Sequence, residues 1–218
     1  MSRDVKRRRY DGSGRREAAE RTRLRILAAA HDLFAEGGYE ATSVPDVAGR
    51  AGVSVDTVYA SVGRKPQLLL AVHDMALAEG PVPLPAAQRD YVLAVRAATT
   101  LVEKVETYAA ALARVLPRVA PILAALREAG LTDPECAAQH QALSDRRAAN
   151  MALMAADLRT TGELRDDLSD EDVAELLWSL NSPEWFGLIT SRGRGPEHYA
   201  TLLADVLIRT LSRRPPPA

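Results

Sequence analysis

The sequence predicts an all-α fold in two parts, a compact N-terminal unit of three helices and a longer C-terminal helical region. Apolar residues recur at helical spacing in nearly every segment, and no stretch alternates apolar and polar residues as a half-buried strand would. Glycine and proline fall between the periodic segments. Because 47% of the 218 residues are apolar, the chain has enough material for a packed core.

Composition argues against several classes of protein. No apolar run approaches the length of a bilayer span, and no apolar segment follows the charged N-terminus as in a signal peptide, so we expect a cytoplasmic protein without membrane contact. Cys136 is the only cysteine, which allows no intramolecular disulfide and no zinc site built from thiolates. The four histidines lack metal-ligand spacing, and we expect no cofactor.

Basic charge is concentrated near the N-terminus. Residues 1–65 hold 13 lysines and arginines against 9 carboxylates, whereas residues 66–218 hold 15 against 20. The first segment therefore suits a polyanion such as nucleic acid, and the second does not. Residues 1–16 are poor in apolar side chains and contain Arg7, Arg8 and Arg9. They predict either a solvated tail or a flexible arm that adds phosphate or minor-groove contacts.

Residues 17–65 predict the three-helix unit. An apolar stripe that includes Ile26, Leu27 and Phe34 predicts a supporting helix over about 17–36, and the pair Gly37 and Gly38 ends it. Two short helices follow, and they are joined by a tight turn.

The two short helices carry clear boundary signals. Ser43 is a good N-cap, Asp46 completes a capping box, and Pro45 lies in the first turn. Gly52 suits the left-handed end of this helix, and Ser54 caps the next one. The second helix bears small and polar side chains that would fit a major groove. The pattern predicts a helix-turn-helix with the second helix as reader, and the alternative is a plain helical hairpin.

The same stretch resembles a known domain. The residues that carry the resemblance are the runs RILAAA and LF, then GGY, TSV, DVA, AGVS and TVY, followed by Lys65. Together they are similar to the DNA-binding domain of the tetracycline-repressor (TetR) family of bacterial transcription regulators. The resemblance extends over about fifty residues without a gap. It implies a homodimer that binds double-stranded operator DNA, with each reader helix in a major groove. It also implies phosphate contacts from Tyr59 and Lys65.

Further contact positions follow from the resemblance. Base-facing side chains are expected among Pro45, Val55, Asp56, Thr57 and Ala60, with Ser43, Thr57 and Ser61 as further phosphate partners. The chain departs from the family pattern at Val62, where an aromatic residue is common, and at Asp56, where a basic or small residue is common. Two roles stay open for Asp56, which could accept from a cytosine amine or only cap its helix.

The rest of the chain predicts helices only. A linking helix over 66–80 runs out of the DNA-binding unit, and Pro81, Pro83 and Pro85 then interrupt the helical pattern. Residues 81–218 form the second domain, and Pro183 should kink its penultimate helix and free the carbonyl of Ser179. The helices predicted in this domain cover about 87–100, 104–116, 117–128, 134–161, 170–191 and 196–212.

The resemblance implies that this second domain combines a ligand cavity with a dimer interface. Tryptophan and methionine are concentrated in an otherwise Ala-, Leu- and Val-rich region, as in an adaptable apolar cavity for a partly apolar effector. Each residue singled out on this ground could instead be ordinary core. The candidates are Tyr108, His140, Met151, Met154, Trp178, Trp185 and Phe186.

The last two predicted helices offer apolar faces for dimerisation. Two such helix pairs related by a two-fold axis make a four-helix bundle. The alternative is that these side chains belong to the core of one subunit. The candidate interface residues are Val173, Leu176, Leu180, Leu203 and Leu207.

The sequence therefore predicts a ligand-responsive, homodimeric DNA-binding transcription regulator, and most simply a repressor released by a small-molecule effector. One alternative is an all-helical enzyme that carries a helix-turn-helix. The sequence contains no phosphate-cradling glycine motif, metal cluster or activated nucleophile that would support this enzyme alternative. We therefore predict no enzymatic activity. The other alternative is an interaction module that uses the N-terminal hairpin on protein, and the basic arm argues against it.

Overall fold

The computed structural model describes residues 13–77 and 84–213, and the predicted arm residues Arg7, Arg8 and Arg9 lie outside these ranges. The all-α prediction is confirmed, since the described chain forms helices and one isolated bridge, between Leu164 and Ser212. A short 3₁₀ turn covers Ala86–Gln88. The α-helices are α1 (Ser13–Ala41), α2 (Val44–Ala51), α3 (Val55–Ser61), α4 (Lys65–Leu77), α5 (Asp90–Ala97), α6 (Leu101–Ala129), α7 (Pro134–Arg159), α8 (Asp170–Leu180), α9 (Pro183–Thr190) and α10 (Pro196–Leu211).

The first helix starts earlier than predicted and breaks where predicted. Within α1, Gly38 has φ 73° and ψ −175°, a conformation that interrupts the regular helix and favours glycine. The buried Thr42 hydroxyl lies 3.0 Å from the Leu33 carbonyl oxygen and 2.9 Å from that of Gly38. These contacts satisfy carbonyls at the end of the helix and fix the entry into α2.

The helix-turn-helix forms as its boundary residues predict. The Ser43 hydroxyl accepts from the Asp46 backbone N–H, and the Asp46 carboxylate accepts from the Ser43 N–H, which completes the capping box. Gly52 ends α2 in the left-handed conformation, with φ 66°. Ser54 then caps α3 by accepting from the Thr57 N–H.

The central helix α6 corrects one prediction, because the sequence indicated a break at Pro117. Instead, α6 runs unbroken through Pro117 and Pro121. Each proline removes one helical N–H. Both proline side chains are exposed and lie four residues apart, so they share the solvent face of the helix. Water can donate hydrogen bonds there to the carbonyls of Ala113 and Pro117, which the prolines leave unpaired. Packing on the other faces outweighs the local helix-breaking tendency.

The same helix corrects the expectation about apolar runs. Among the described helices, α6 alone is long and apolar enough to span a bilayer, with a mean hydropathy of 1.6 over its most apolar window. By itself this is weak support for a membrane helix. Val105, Leu112, Ile122 and Leu126 of α6 are buried against other helices, as in the core helix of a globular fold.

The segment predicted as one kinked helix over 170–191 forms two helices. α8 ends at Leu180, and Ser182 caps α9 by accepting from the Trp185 N–H. Pro183 therefore occupies the first helical position of α9, where its missing N–H has no cost. The Ser179 carbonyl accepts from the Ser182 N–H at 3.3 Å, so the prediction that it would be freed is wrong.

Two apolar cores lie at opposite ends of α6. The N-terminal core joins α1 to α4 with the last turns of α6, including Ile122 and Leu126, and with the start of α7. The C-terminal core joins the first half of α6 with α5, the end of α7, and α8 to α10. Polar contacts reinforce the N-terminal junction, where the Tyr39 hydroxyl donates to Asp133 at 3.4 Å. The N-terminal three-helix unit is thus packed directly against the C-terminal helical region.

Three of the predicted dimer residues belong to the core of a single subunit. Val173, Leu203 and Leu207 are each 0% exposed in the isolated chain. They pack into the C-terminal core because α8 and α10 turn these faces toward α6 and α7. They cannot form a subunit interface, whereas Leu176 and Leu180 remain partly exposed.

Two glycines of α2 and its cap should respond oppositely to alanine. Gly49 is helical, and nothing lies within 4 Å of the position that an added methyl group would take, so Gly49→Ala should raise the free energy of unfolding by about 1 kcal/mol. Gly52 has equal space but φ 66°, so Gly52→Ala should lower it by about 1 kcal/mol through backbone strain. Urea unfolding of both variants measures the difference. Equal effects would show that Gly52 is not held in the left-handed conformation.

Candidate functional site

The reader helix α3 presents a short outward face. Val58 is fully buried against the supporting helices, which fixes the rotation of α3. Asp56, Tyr59 and Ala60 are consequently exposed, and the Tyr59 side chain is 48% accessible. The remaining predicted contact residues of this helix, Val55, Thr57 and Ser61, are partly exposed at its edges, and Pro45 is exposed at the start of α2. The predicted base-reading residues are therefore all at least partly exposed, although Val55 also packs against the N-terminal core.

Some of the predicted phosphate partners already have structural roles. The Ser43 hydroxyl lies 2.5 Å from the Asp46 carboxylate, and this hydrogen bond lowers the pKa of Asp46. The hydroxyls of Ser54 and Thr57 are 2.8 Å apart. Tyr59, by contrast, makes no hydrogen bond with any described residue. Its hydroxyl is therefore the group on this face most available to a phosphate.

Lys65 lies at the first turn of α4, beside the reader helix. Its ammonium group sits 4.0 Å from the centre of the Tyr39 ring, and that ring stacks on Phe34. The aromatic contact holds the Lys65 side chain against the end of α1. The neighbouring Arg64 is exposed and was not anticipated as a DNA contact, although it adjoins Lys65 in sequence. The Arg23 guanidinium donates to the Ser61 carbonyl and ties α1 to the end of α3.

A cavity of about 970 Å³ opens beside the linking helix α4. Its wall includes His73, Asp74 and Leu77 of α4, and the rest comes from α5 to α8, the start of α9 and the chain that precedes α5. This volume is at the upper end of the range typical of small-molecule sites. Five of the seven predicted pocket residues line it, namely Tyr108, His140, Met151, Met154 and Trp178.

The other two predicted pocket residues do not line this cavity. Trp185 and Phe186 pack edge-to-face against Tyr199, with ring centroids 5.3 Å and 5.2 Å away. They belong to the contact between α9 and α10, because the break at Asn181 turns α9 away from the direction of α8. Aromatic concentration in the sequence did not separate cavity residues from core residues here.

A polar group of side chains lies within the apolar wall. The Asn181 amide donates to the Tyr108 hydroxyl at 2.6 Å, and burial raises the pKa of Tyr108, so this hydroxyl stays neutral. Arg147 places its guanidinium 4.9 Å from the Trp178 ring centre. Within this group, three buried atoms have no hydrogen-bond partner among the described residues, and these are Arg147 Nη1, Trp178 Nε1 and Asn181 Oδ1.

Sequence reasoning missed Arg147 and Asn181. A signal for Arg147 was present, since residues 147, 151, 154 and 158 recur at helical spacing and the last three are apolar. Arg147 therefore lies on the inward stripe of α7. No comparable signal marked Asn181, whose burial depends on where α8 ends.

The carboxylates in the cavity wall are each paired with a cation. Asp74 accepts from Arg146 at 2.9 Å, which joins α4 to α7. Asp157 pairs with the buried Lys104 at 2.8 Å, and Glu184 pairs with Arg127 at 3.1 Å. Among the described residues, no group of three or more His, Cys, Asp or Glu side chains could hold a metal ion.

An exposed reader helix on a three-helix support, packed against a helical domain that holds a cavity, is the architecture of a DNA-binding transcription regulator. Residues 26–72 match the profile of the family described as bacterial regulatory proteins, tetR family. This match identifies a tetR-family DNA-binding domain in residues 26–72, and the fold of the chain agrees with that of a DNA-binding transcriptional regulator.

Solved structures share this fold. A transcriptional regulator from Saccharomonospora viridis in complex with choline is 20% identical with a TM-score of 0.69, and the match covers 89% of this chain and 99% of that one. NalD, the secondary repressor of the MexAB-OprM multidrug efflux pump in Pseudomonas aeruginosa, is 23% identical with a TM-score of 0.65, over 90% and 98%. A SmeT–triclosan complex is 18% identical with a TM-score of 0.64, over 91% and 100%. No protein of curated function matches the chain significantly.

Removing Tyr59 or Lys65 should weaken binding to all DNA sequences alike, because phosphate contacts carry no base information. Tyr59→Ala should lower affinity roughly 10- to 100-fold, the loss expected for a hydrogen bond to a charged group. Lys65→Ala should reduce the magnitude of the slope of log association constant for DNA against log salt concentration by about 0.9. Fluorescence anisotropy with a selected operator and a scrambled duplex measures both effects. Leu188→Ala, at a residue 69% exposed on α9, is the control. Unchanged affinity in Tyr59→Ala would refute this docking.

Proposed function

We propose that the protein is a homodimeric repressor whose operator affinity is lowered by a small molecule bound in the cavity beside α4. The observation that carries this proposal is the double role of α4. Its first residue, Lys65, is a proposed phosphate contact that follows α3 closely in the chain, and His73, Asp74 and Leu77 form part of the cavity wall. A ligand in the cavity would touch the same rigid helix that positions the reader helix.

The contacts of α4 support a mechanical link in both directions. Leu68, Leu69 and Val72 are fully buried in the N-terminal core, so α4 moves with α1 to α3. At the cavity, Asp74 is held by Arg146 of α7 at 2.9 Å. A ligand that displaces α4 from α7 would therefore tilt the reader helix. It can affect DNA affinity only if it binds better to the tilted conformation.

Structural neighbours support a small-molecule effector. Regulators of this fold have been solved with choline and with triclosan, and NalD is described as a repressor. We extend these properties to this chain as part of the proposal. The cavity wall contains Leu112, Leu116, Met151 and Met154, which suits an effector with an apolar portion.

Each segment of the chain has its own proposed role. Residues 1–16 act as a basic arm, 17–65 as the DNA-binding domain, 66–80 as the linking helix, and 81–218 as the effector-binding and dimerisation domain. The protein acts in the cytoplasm on double-stranded operator DNA. An interaction module that used α3 on another protein would instead leave DNA mobility unchanged at all salt concentrations.

The dimer is proposed to form through the outer faces of α8 and α10. Leu202 and Val206 are partly exposed, lie one turn apart on α10, and do not belong to either main core. Leu176 and Leu180 on α8 are also partly exposed, and they pack against the C-terminal core with part of their surface. Two copies of this helix pair can form a four-helix bundle around a two-fold axis.

Two pairs of charge substitutions on α10 distinguish the interface from the core. Leu202→Glu with Val206→Glu should give folded monomers, because these side chains face outward. Leu203→Glu with Leu207→Glu should instead prevent stable folding, since both residues are fully buried within one subunit. Sedimentation velocity and circular dichroism measure the two outcomes. An intact dimer of the first variant would move the interface away from α10.

The two tryptophans provide a position-specific test of coupling. A cognate effector should quench the fluorescence of Trp178, which lines the cavity, so the signal should disappear in Trp178→Phe and persist in Trp185→Phe. Saturating operator should weaken effector binding by the same factor by which effector weakens operator binding. Titration of the effector with and without operator measures this factor. Equal affinities would refute ligand-induced release.

A further inference from the structure

Arg147 has a partly buried side chain without a counter-ion in the part of the chain that the structure describes, and its Nη1 atom is fully buried. The side chain forms no hydrogen bond or ion pair with any described residue, and its guanidinium instead lies over the Trp178 ring. A guanidinium cannot give up its proton to escape this environment, because its pKa is too high. Burial of an unpaired charge is destabilising. The Arg147 side chain is therefore a candidate for binding a ligand.

The surroundings of Arg147 favour a negative partner. Four arginines line the cavity, namely Arg89, Arg96, Arg146 and Arg147, against three carboxylates. Each carboxylate is already paired with a cation, as described above, and Glu184, the acid that acts most on Arg147, is bound to Arg127. The charge that remains in the wall is positive. Such a cavity attracts an anion and disfavours a cation.

The hydrogen-bonding groups nearby define the ligand further. Trp178 Nε1 is a second buried donor without a partner in the described chain, and its ring carries the Arg147 guanidinium. Asn181, one helical turn along from Trp178, has an unpartnered Oδ1 that can accept from a ligand hydroxyl or N–H. Planar guanidinium groups match carboxylate-like oxygens in a two-point geometry.

We propose that the effector is an amphipathic organic anion whose acidic group binds the Arg147 guanidinium and the Trp178 indole N–H. Its apolar body lies along Leu112, Leu116, Met151 and Met154, and a hydroxyl or N–H group of the ligand is accepted by Asn181. This inference rests on the proposed function, since it assigns a chemical class to the occupant of the same cavity.

A matched pair of fluorescent probes tests the charge preference. The probes are 8-anilinonaphthalene-1-sulfonate and its uncharged parent N-phenyl-1-naphthylamine, which share one aromatic skeleton. Their dissociation constants are measured on wild-type protein, Arg147→Met, Arg147→Gln and the control Arg96→Met, which removes an exposed arginine from the same cavity wall. Loss of the probe-induced quenching in Trp178→Phe, and its retention in Trp185→Phe, locates the probe.

Both Arg147 variants should reduce the ratio of sulfonate affinity to parent affinity about tenfold, and Arg96→Met should change it by less than about twofold. The melting temperature of unliganded Arg147→Met should be equal to or above that of wild type, because an unpaired buried charge has been replaced by an apolar side chain. A lower melting temperature with an unchanged affinity ratio would overturn the inference and give Arg147 a purely structural role.

The outcomes separate this inference from the proposed function. If both probes quench Trp178 and the affinity ratio is the same in wild type and the Arg147 variants, the anion assignment fails and the effector cavity stands. If neither probe affects Trp178 in any variant, the cavity is not a ligand site and both proposals fail.

Discussion

The packing of α6 is the constraint on which the rest of the structure depends. Its first half belongs to the C-terminal core and its last turns belong to the N-terminal core, so one helix is common to both. The linking helix α4 packs on α6 and α7 near the point where the cores meet, and the cavity lies beside it. Because close-packed cores resist gradual deformation, we expect a change in the cavity to move whole helices rather than single side chains.

The sequence predicted the N-terminal unit well because its boundaries are set by local chemistry. Ser43, Asp46, Gly52 and Ser54 act through hydrogen bonds and backbone angles within a few residues, and the structure shows each of these effects. Predictions failed where tertiary packing decides. Pro117 did not end a helix, because burial of the other faces of α6 outweighs one lost hydrogen bond. The apolar faces of α8 and α10 were assigned to a dimer, whereas Leu203 and Leu207 fill the core of one subunit.

The cavity shows the same limit for functional residues. Helical spacing and residue type identified Met151 and Met154, which line the cavity, but could not exclude Trp185 and Phe186, which pack on Tyr199. The unpaired Arg147 was overlooked because an arginine in a sequence is ordinarily assigned to the solvent. Its significance appears only when the neighbouring carboxylates are seen to be paired elsewhere. Counting which charges have partners was more informative here than counting aromatic residues.

We propose that an occupant of the cavity changes the position of the reader helix through α4. In the proposed homodimer, the distance between the two reader helices reports this change. Spin labels at Ala35→Cys, an exposed position on the supporting helix α1 outside the predicted DNA contacts, would be measured by double electron–electron resonance. The buried Cys136, the only native cysteine, would be replaced by serine as a precaution. With operator, the account predicts one narrow distance distribution compatible with successive major grooves about 34 Å apart. With 8-anilinonaphthalene-1-sulfonate and no operator, it predicts a distribution displaced from this distance. The same distribution in both states would contradict it.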